Sequence, residues 1–233
     1  MILLWWLFTI DPKSSLYRFN PIDTFNALLD QIENPRLYEG VAETLKRLFG
    51  GLLIAAAIGI PIGLLSGYFV KAYEITYIPF QFMRMISPLS WTPVAIILLG
   101  IGSGPVYFLI AIAAVWPIII NTAAAVNAAD KQWIEVARCF GAGDKEVLRH
   151  ILLRASLPSI LTGIQLALGV GWIVIVPAEM LGVASGLGYM ILDFRDINDY
   201  SSVMAVILII GLLGLITDIP LRWAIKKVSW NEK

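Results

Sequence analysis

Charge is scarce in this sequence: Asp, Glu, Lys and Arg make up 15% of its 233 residues, against 58% that are hydrophobic. A water-exposed surface normally carries about 25% charged residues, so much of the outer surface has to face lipid. The few charges cancel, with 17 basic and 17 acidic side chains. That leaves no basic field to neutralise phosphates and excludes a nucleic-acid partner. The single cysteine, Cys139, excludes an internal disulfide. With His150 as the only histidine, a metal site built on those two residues lacks ligands. No GxxxxGK run followed by Ser or Thr occurs, so ATP has no Walker-type site here. An intramembrane enzyme would need a nucleophile with a base, or a metal cluster, at matching depth, and the sequence offers neither.

Long apolar runs are what the sequence has instead. About 20 apolar residues are needed to cross a hydrocarbon core roughly 30 Å thick. Runs of that order, uncharged but for Glu179, lie at residues 48–70, 91–110, 106–128 and 160–192, the last long enough to contain a break. A fifth, 203–219, is closed by Asp218 and Pro220 and followed by Arg222, Lys226 and Lys227, the basic flank of a cytoplasmic end. Residues 1–10 are apolar but too short to span. They read as part of a first transmembrane helix; a signal peptide would need a basic leader and a small-residue cleavage site. Residues 11–47 turn polar and amphipathic, with Pro21, Asn34 and Pro35 as breakers, and read as an extracytoplasmic segment. The expected fold is all-α: a polytopic bundle of five full spans plus the partial first helix, forming one permease domain over 48–233. With alternating helices, eleven of the 17 Lys and Arg fall on the cytoplasmic side, in keeping with the positive-inside rule.

The most informative stretch is polar and cytoplasmic, AADKQWIEVARCFGAGDKEVLRHILLRASLP, residues 128–158. Ile134, Ala137, Val147, Leu148, Ile151 and Leu152 recur at helical spacing, and Gly141, Ala142 and Gly143 divide the segment into two short helices. Two helices around a glycine turn outside the bilayer make a rigid knob, a device for transmitting force to a docked partner.

Here the sequence resembles the inner-membrane permeases of binding-protein-dependent ABC importers. Their signature loop reads Glu, Ala, Ala, three residues, Gly, nine residues, Ile, then Leu-Pro. Glu135, Ala137, Gly141 and Ile151 fall in register, with Val136 in place of the middle alanine. Arg154 stands where many relatives have proline, while Leu157 and Pro158 match the doubled Leu-Pro of the nitrate, sulfonate, taurine and bicarbonate subgroup. The stretches 87–104 and 159–193 also resemble that subgroup. The resemblance implies a type I importer permease in the bacterial inner membrane, and a coupling loop at Glu135, Ala137, Gly141, Ala142, Asp144, Ile151, Leu157 and Pro158. It implies separate ATPase subunits that carry the ATP and Mg, with no cofactor on this chain. It further implies an extracytoplasmic solute-binding protein, a second permease copy, and a small oxyanion such as nitrate, bicarbonate or an organosulfonate as cargo.

Several residues stand out on physical grounds. Glu179, beside Pro177 and Met180, is a carboxylate at membrane depth, which requires water, a partner or protein interior. It belongs either to the pathway or gate, or to a helix end where it bonds groups freed by Pro177. Pro88, Trp91 and Pro93 break the entrance of a span, and the freed backbone groups point to a cavity lining or an interfacial kink. Gly182, Ser185, Gly186 and Gly188 permit close helix approach at a dimer seam or gate. Asp193, Arg195, Asp196 and Asp199 form a solvated cluster or a binding-protein contact. Cys139 and His150 are expected as packing residues of the knob.

Overall fold

The computed structural model describes residues 19–230; the apolar stretch 1–10 and the start of the polar segment lie outside the described residues. Those described form an all-α bundle. Two Asn-Pro pairs start the first two helices. Asn20 accepts a hydrogen bond from the Ile22 amide at 2.9 Å, opening α1 (Pro21–Glu33). Asn34 accepts one from the Arg36 amide at 3.0 Å, opening α2 (Pro35–Tyr68). In both, the side chain satisfies an orphan amide while proline fills the position that needs no donor.

The 34 residues of α2 reach ~51 Å at 1.5 Å per residue. It runs without interruption through residue 47, where the polar segment was expected to give way to the membrane domain. Charge does not break a helix when the protein supplies partners, and Thr44 and Arg47 are both buried. The next expected span, 91–110, is corrected. Gly100 and Gly102 have φ of +75° and +139°, a region costly to L-residues, and they end α4 (Thr92–Leu99) before α5 (Ser103–Asn127) begins. In its place stand α3 (Val70–Met85), a 3₁₀ turn at Pro88–Trp91 and α4, an apolar pair with an 82° bend between Glu74–Met85 and Pro88–Leu99. Four helices are long and apolar enough to span, or five when this bent pair counts as one. The break expected within 160–192 is present: α7 (Leu157–Gly182) gives way to α8 (Leu187–Asp196). The last span is α9 (Tyr200–Trp230).

Lipid tails are as apolar as Leu, so helices in a membrane associate through close approach more than through burial. A stripe of Gly51, Ala55, Gly59, Gly63 and Gly67, four residues apart on α2, lies against α5. A Cβ at Gly63 would stand 2.6 Å from Thr122 Cβ and 2.9 Å from the Ile119 carbonyl. The central core gathers Leu48, Leu52, Val106, Ile110, Ile118, Leu168 and Ile175 from α2, α5 and α7. A second cluster of Leu37, Leu187, Met190 and Val206 joins α2, α8 and α9 at the other end. Large apolar side chains such as Leu53, Ile78, Ile97 and Leu215 remain on the outside, as a lipid-facing surface requires.

Candidate functional site

The knob begins with α6 (Lys131–Cys139), opened by Asp130, whose carboxylate accepts from the Gln132 amide at 2.9 Å. Gly141, at φ +82°, makes the turn. Gly143 restarts the helix, its amide donating to Glu146 Oε2 at 2.5 Å, and Val147–Leu152 form a π turn leading back towards α7. Val147 and Leu152 are buried with Val126, against Leu64, Ile134, Ala137, Ala142, Leu148 and Ile151. The helical spacing noted in the sequence is therefore the knob's attachment to α2 and α5. A polar tie reinforces it. The Tyr68 hydroxyl at the end of α2 donates to Asp144 Oδ1 at 2.7 Å and accepts from Arg138 Nη2 at 2.8 Å. Arg138 also pairs with Asp144 and donates to the Ala142 carbonyl at 3.0 Å. The Tyr68 hydroxyl, then Arg138, hold the Asp144 carboxyl below its ordinary range.

The outward side of the knob carries large apolar side chains among polar ones, with Phe140 88% exposed and Trp133 and Val136 also exposed. Glu135 lies on this exposed side. Leu157 is partly open at the start of α7, beside Pro158. Cys139 and His150, expected to pack, are exposed instead, because the face of each short helix that meets the bundle is already filled by Ala137, Val147 and Ile151.

At the far end of α7, Glu179 is 0% exposed and Arg47 2% exposed. Arg47 Nη1 donates to Glu179 Oε1 at 2.7 Å and to the Ser185 carbonyl at 2.8 Å, and Nε donates to Ser103 Oγ at 3.0 Å. Glu179 also accepts from Thr44 Oγ1 at 2.9 Å and from the Gly188 amide at 2.9 Å, while the Leu187 amide donates to Thr44 Oγ1 at 2.9 Å. Two orphan amides opening α8 are thus taken up by Thr44 and Glu179, and the buried ion pair clasps α2, α7 and the turn between α7 and α8. Gly186, at φ +100°, lies where any Cβ would collide with the Glu179 carboxylate. The Glu179 carboxylate thus meets the backbone at the start of α8, through the Gly188 amide, with Arg47 and Thr44 as its side-chain partners. Met180 packs against the second cluster.

The bend between α3 and α4 borders an open cavity of about 340 Å³ with α5 and α7. Arg84, Pro88, Trp91, Trp116, Asn121 and Ile173 are among its walls. Pro88 and Trp91, singled out as helix breakers, therefore line a space, whereas Pro93 is exposed on the first turn of α4. The lining residues of α5 and α7 lie between 6 and 17 positions from those helices' knob-side ends, or roughly 9–26 Å along the helix axis. Arg84 is one of the eleven cations the alternation of helices assigns to the cytoplasmic side, and neither Thr44 nor Tyr68 stands out in the sequence.

Residues 59–230 match the family described as binding-protein-dependent transport system inner membrane component. A bicarbonate transport system permease protein of Synechococcus elongatus is 37% identical over 77% of this chain and 65% of its own length. A nitrate import permease protein of Leptolyngbya laminosa is 34% identical, covering 84% of this chain and 71% of its own. A putative aliphatic sulfonates transport permease protein of Bacillus subtilis is 36% identical over 78% and 66%. The fold is shared with a chain of an inward-facing methionine ABC transporter, at a TM-score of 0.72, 21% identity, and 82% and 95% coverage.

Proposed function

The chain belongs to the binding-protein-dependent transport system inner membrane components, and from that premise we propose how it works as an importer. It is a multi-pass transport permease of the inner membrane. In our reading, two copies enclose a central pathway that opens outward or inward as the bundles rock. Each knob docks on a separate ATPase subunit, which binds ATP and Mg, hydrolyses the nucleotide and supplies all the energy. An extracytoplasmic solute-binding protein delivers the cargo at the opposite end. The cargo is a small oxyanion of the kind named for the relatives: nitrate, bicarbonate or an organosulfonate.

One observation carries the coupling part. A knob outside the spanning helices presents Phe140, Trp133 and Val136 to the exterior while its inner face is anchored to α2 and α5 by packing and by the Tyr68–Arg138–Asp144 tie. Exposed aromatics on a rigid mount are the anatomy of a docking surface. Glu135, Gly141, Ala142, Asp144, Ile151, Leu157 and Pro158 act here as framework or contact, and Pro88 and Trp91 act in the pathway. The test is recovery of the tagged chain from detergent-solubilised membranes of its host, with mass spectrometry of what accompanies it. Co-purification of a P-loop ATPase and a solute-binding protein is expected. Repeated recovery of the chain alone, without ATPase activity, would favour a channel or structural membrane protein.

A further inference from the structure

The cavity at the α3–α4 bend has an unusual balance of chemistry. Fifteen residues line it, and Arg84 is the one that carries a charge. Most of the others are aliphatic, aromatic or proline, among them Trp91, Trp116, Val170 and Ile173. Asn121 is the other conspicuous polar side chain, and its Nδ2 donates to the Pro117 carbonyl at 2.8 Å. Arg84 stands in the last turn of α3 and forms none of the ion pairs found among the described residues. A cation on a membrane helix normally has a partner or faces a pathway. Here it closes one side of an otherwise apolar space whose volume falls in the range of small-ligand pockets, about 300–1,000 Å³.

We infer that this cavity is a way-station for organic anions with an apolar body, such as alkyl or aryl sulfonates and carboxylates, with Arg84 holding the anionic head and Trp91, Trp116 and Ile173 covering the body. The inference rests on the importer reading and narrows its cargo. A hydrated inorganic ion such as nitrate or bicarbonate needs donors on every side when it sheds water, and a wall of this composition replaces most of them with hydrocarbon. An alkyl sulfonate loses water mainly from the part that hydrocarbon covers well. Its head needs only a planar guanidinium, which matches tetrahedral and planar oxyanions through paired donors. Each CH₂ covered should raise affinity roughly fourfold until the space is filled.

The test is scintillation-proximity binding of radiolabelled pentanesulfonate to the full-length chain in uncharged maltoside micelles, with competitors. Methanesulfonate, propanesulfonate and pentanesulfonate should compete with rising strength, while nitrate, bicarbonate and pentanol should each be at least about tenfold weaker than pentanesulfonate. Arg84→Gln, a substitution at an exposed position, should weaken sulfonate binding about tenfold or more while leaving pentanol unchanged. Ile173→Trp, also at an exposed position, should fill the space and remove binding of every ligand. The inference is overturned by equal competition from nitrate or bicarbonate, by an unchanged Arg84→Gln, by the absence of specific binding, or by displacement only with short-chain phosphatidylglycerol, which would make the site a lipid site. Failure in any of these ways leaves ATPase recovery intact, whereas loss of the ATPase partner would strike the importer reading itself.

Discussion

Removing the carboxylate of Glu179 should be among the most damaging single changes in this protein. Glu179→Ala takes away the acceptor of the Arg47 guanidinium, the Thr44 hydroxyl and the Gly188 amide together. Arg47, 2% exposed, would keep the Ser103 and Ser185 oxygens and the half-exposed Glu43 carboxylate at 3.3 Å but lose its one fully buried counter-charge. Breaking a buried pair from one side costs about 3–5 kcal/mol, because the remaining charge stays desolvated. At about 2–4 °C per kcal/mol for a chain of this size, the midpoint of thermal unfolding in detergent should fall by roughly 6–20 °C. Arg47→Met combined with Glu179→Leu removes both charges and should recover at least half of that loss, since apolar replacement of a whole buried pair is often neutral or better. Size-exclusion chromatography after heating reads the midpoint directly. A Glu179→Ala protein within about 1 °C of the parent, or a double variant less stable than either single, would refute the clasp.

Gly63→Leu should destabilise the α2–α5 contact by about 1–3 kcal/mol through overpacking, because Thr122 and the Ile119 carbonyl already occupy the space a side chain needs; the same heating assay measures it. Gly141→Asp should leave membrane insertion intact but uncouple uptake, since φ of +82° costs a non-glycine residue about 1–2 kcal/mol at the turn that sets the knob's shape; normal uptake would count against the docking role. The tie at Asp144 should be indifferent to pH across the physiological range. A depressed carboxyl stabilises above its unfolded value and loses that contribution only as pH falls through its lower folded value. Asp144→Asn should therefore alter the ratio of uptake to ATP hydrolysis equally at pH 6 and pH 8, and a defect seen at only one of them would point to another titrating group.

How much of this was legible in the sequence depends on the reach of the interaction. The knob was, because its helical spacing, its glycine turn and its register are local; Ile134, Ala137, Val147, Ile151 and Leu152 pack where their periodicity put them. The bent α3–α4 pair was not, because hydropathy marks how many residues are apolar and not where the backbone turns. Gly100 and Gly102 looked like ordinary members of an apolar run, yet they end α4, and α4 pairs with α3 across a bend instead of continuing into α5. Glu179 was visible as a charge that required a partner, but Arg47 lies 132 positions away and pairing over that distance leaves no mark in one sequence. Arg47 itself was set among the extracytoplasmic cations, since charge counting cannot distinguish a solvated arginine from a buried one. Cys139 and His150 were misplaced for a related reason: a short amphipathic helix has one face to bury, and neighbouring residues took it.

The central claim, that the knob is where this permease receives force from an ATPase, has a direct probe in the chain itself. Cys139, the only cysteine in the sequence, is exposed on α6 beside Phe140. Labelled with a benzophenone maleimide in native membranes and irradiated, it should form a covalent adduct with an ATPase subunit, and Phe140→Asp should strongly reduce the yield. Because Phe140 is 88% exposed, that substitution should change stability by no more than about 0.5 kcal/mol. An adduct confined to lipid or to a second copy of this chain, or an ATPase adduct untouched by Phe140→Asp, would contradict the account.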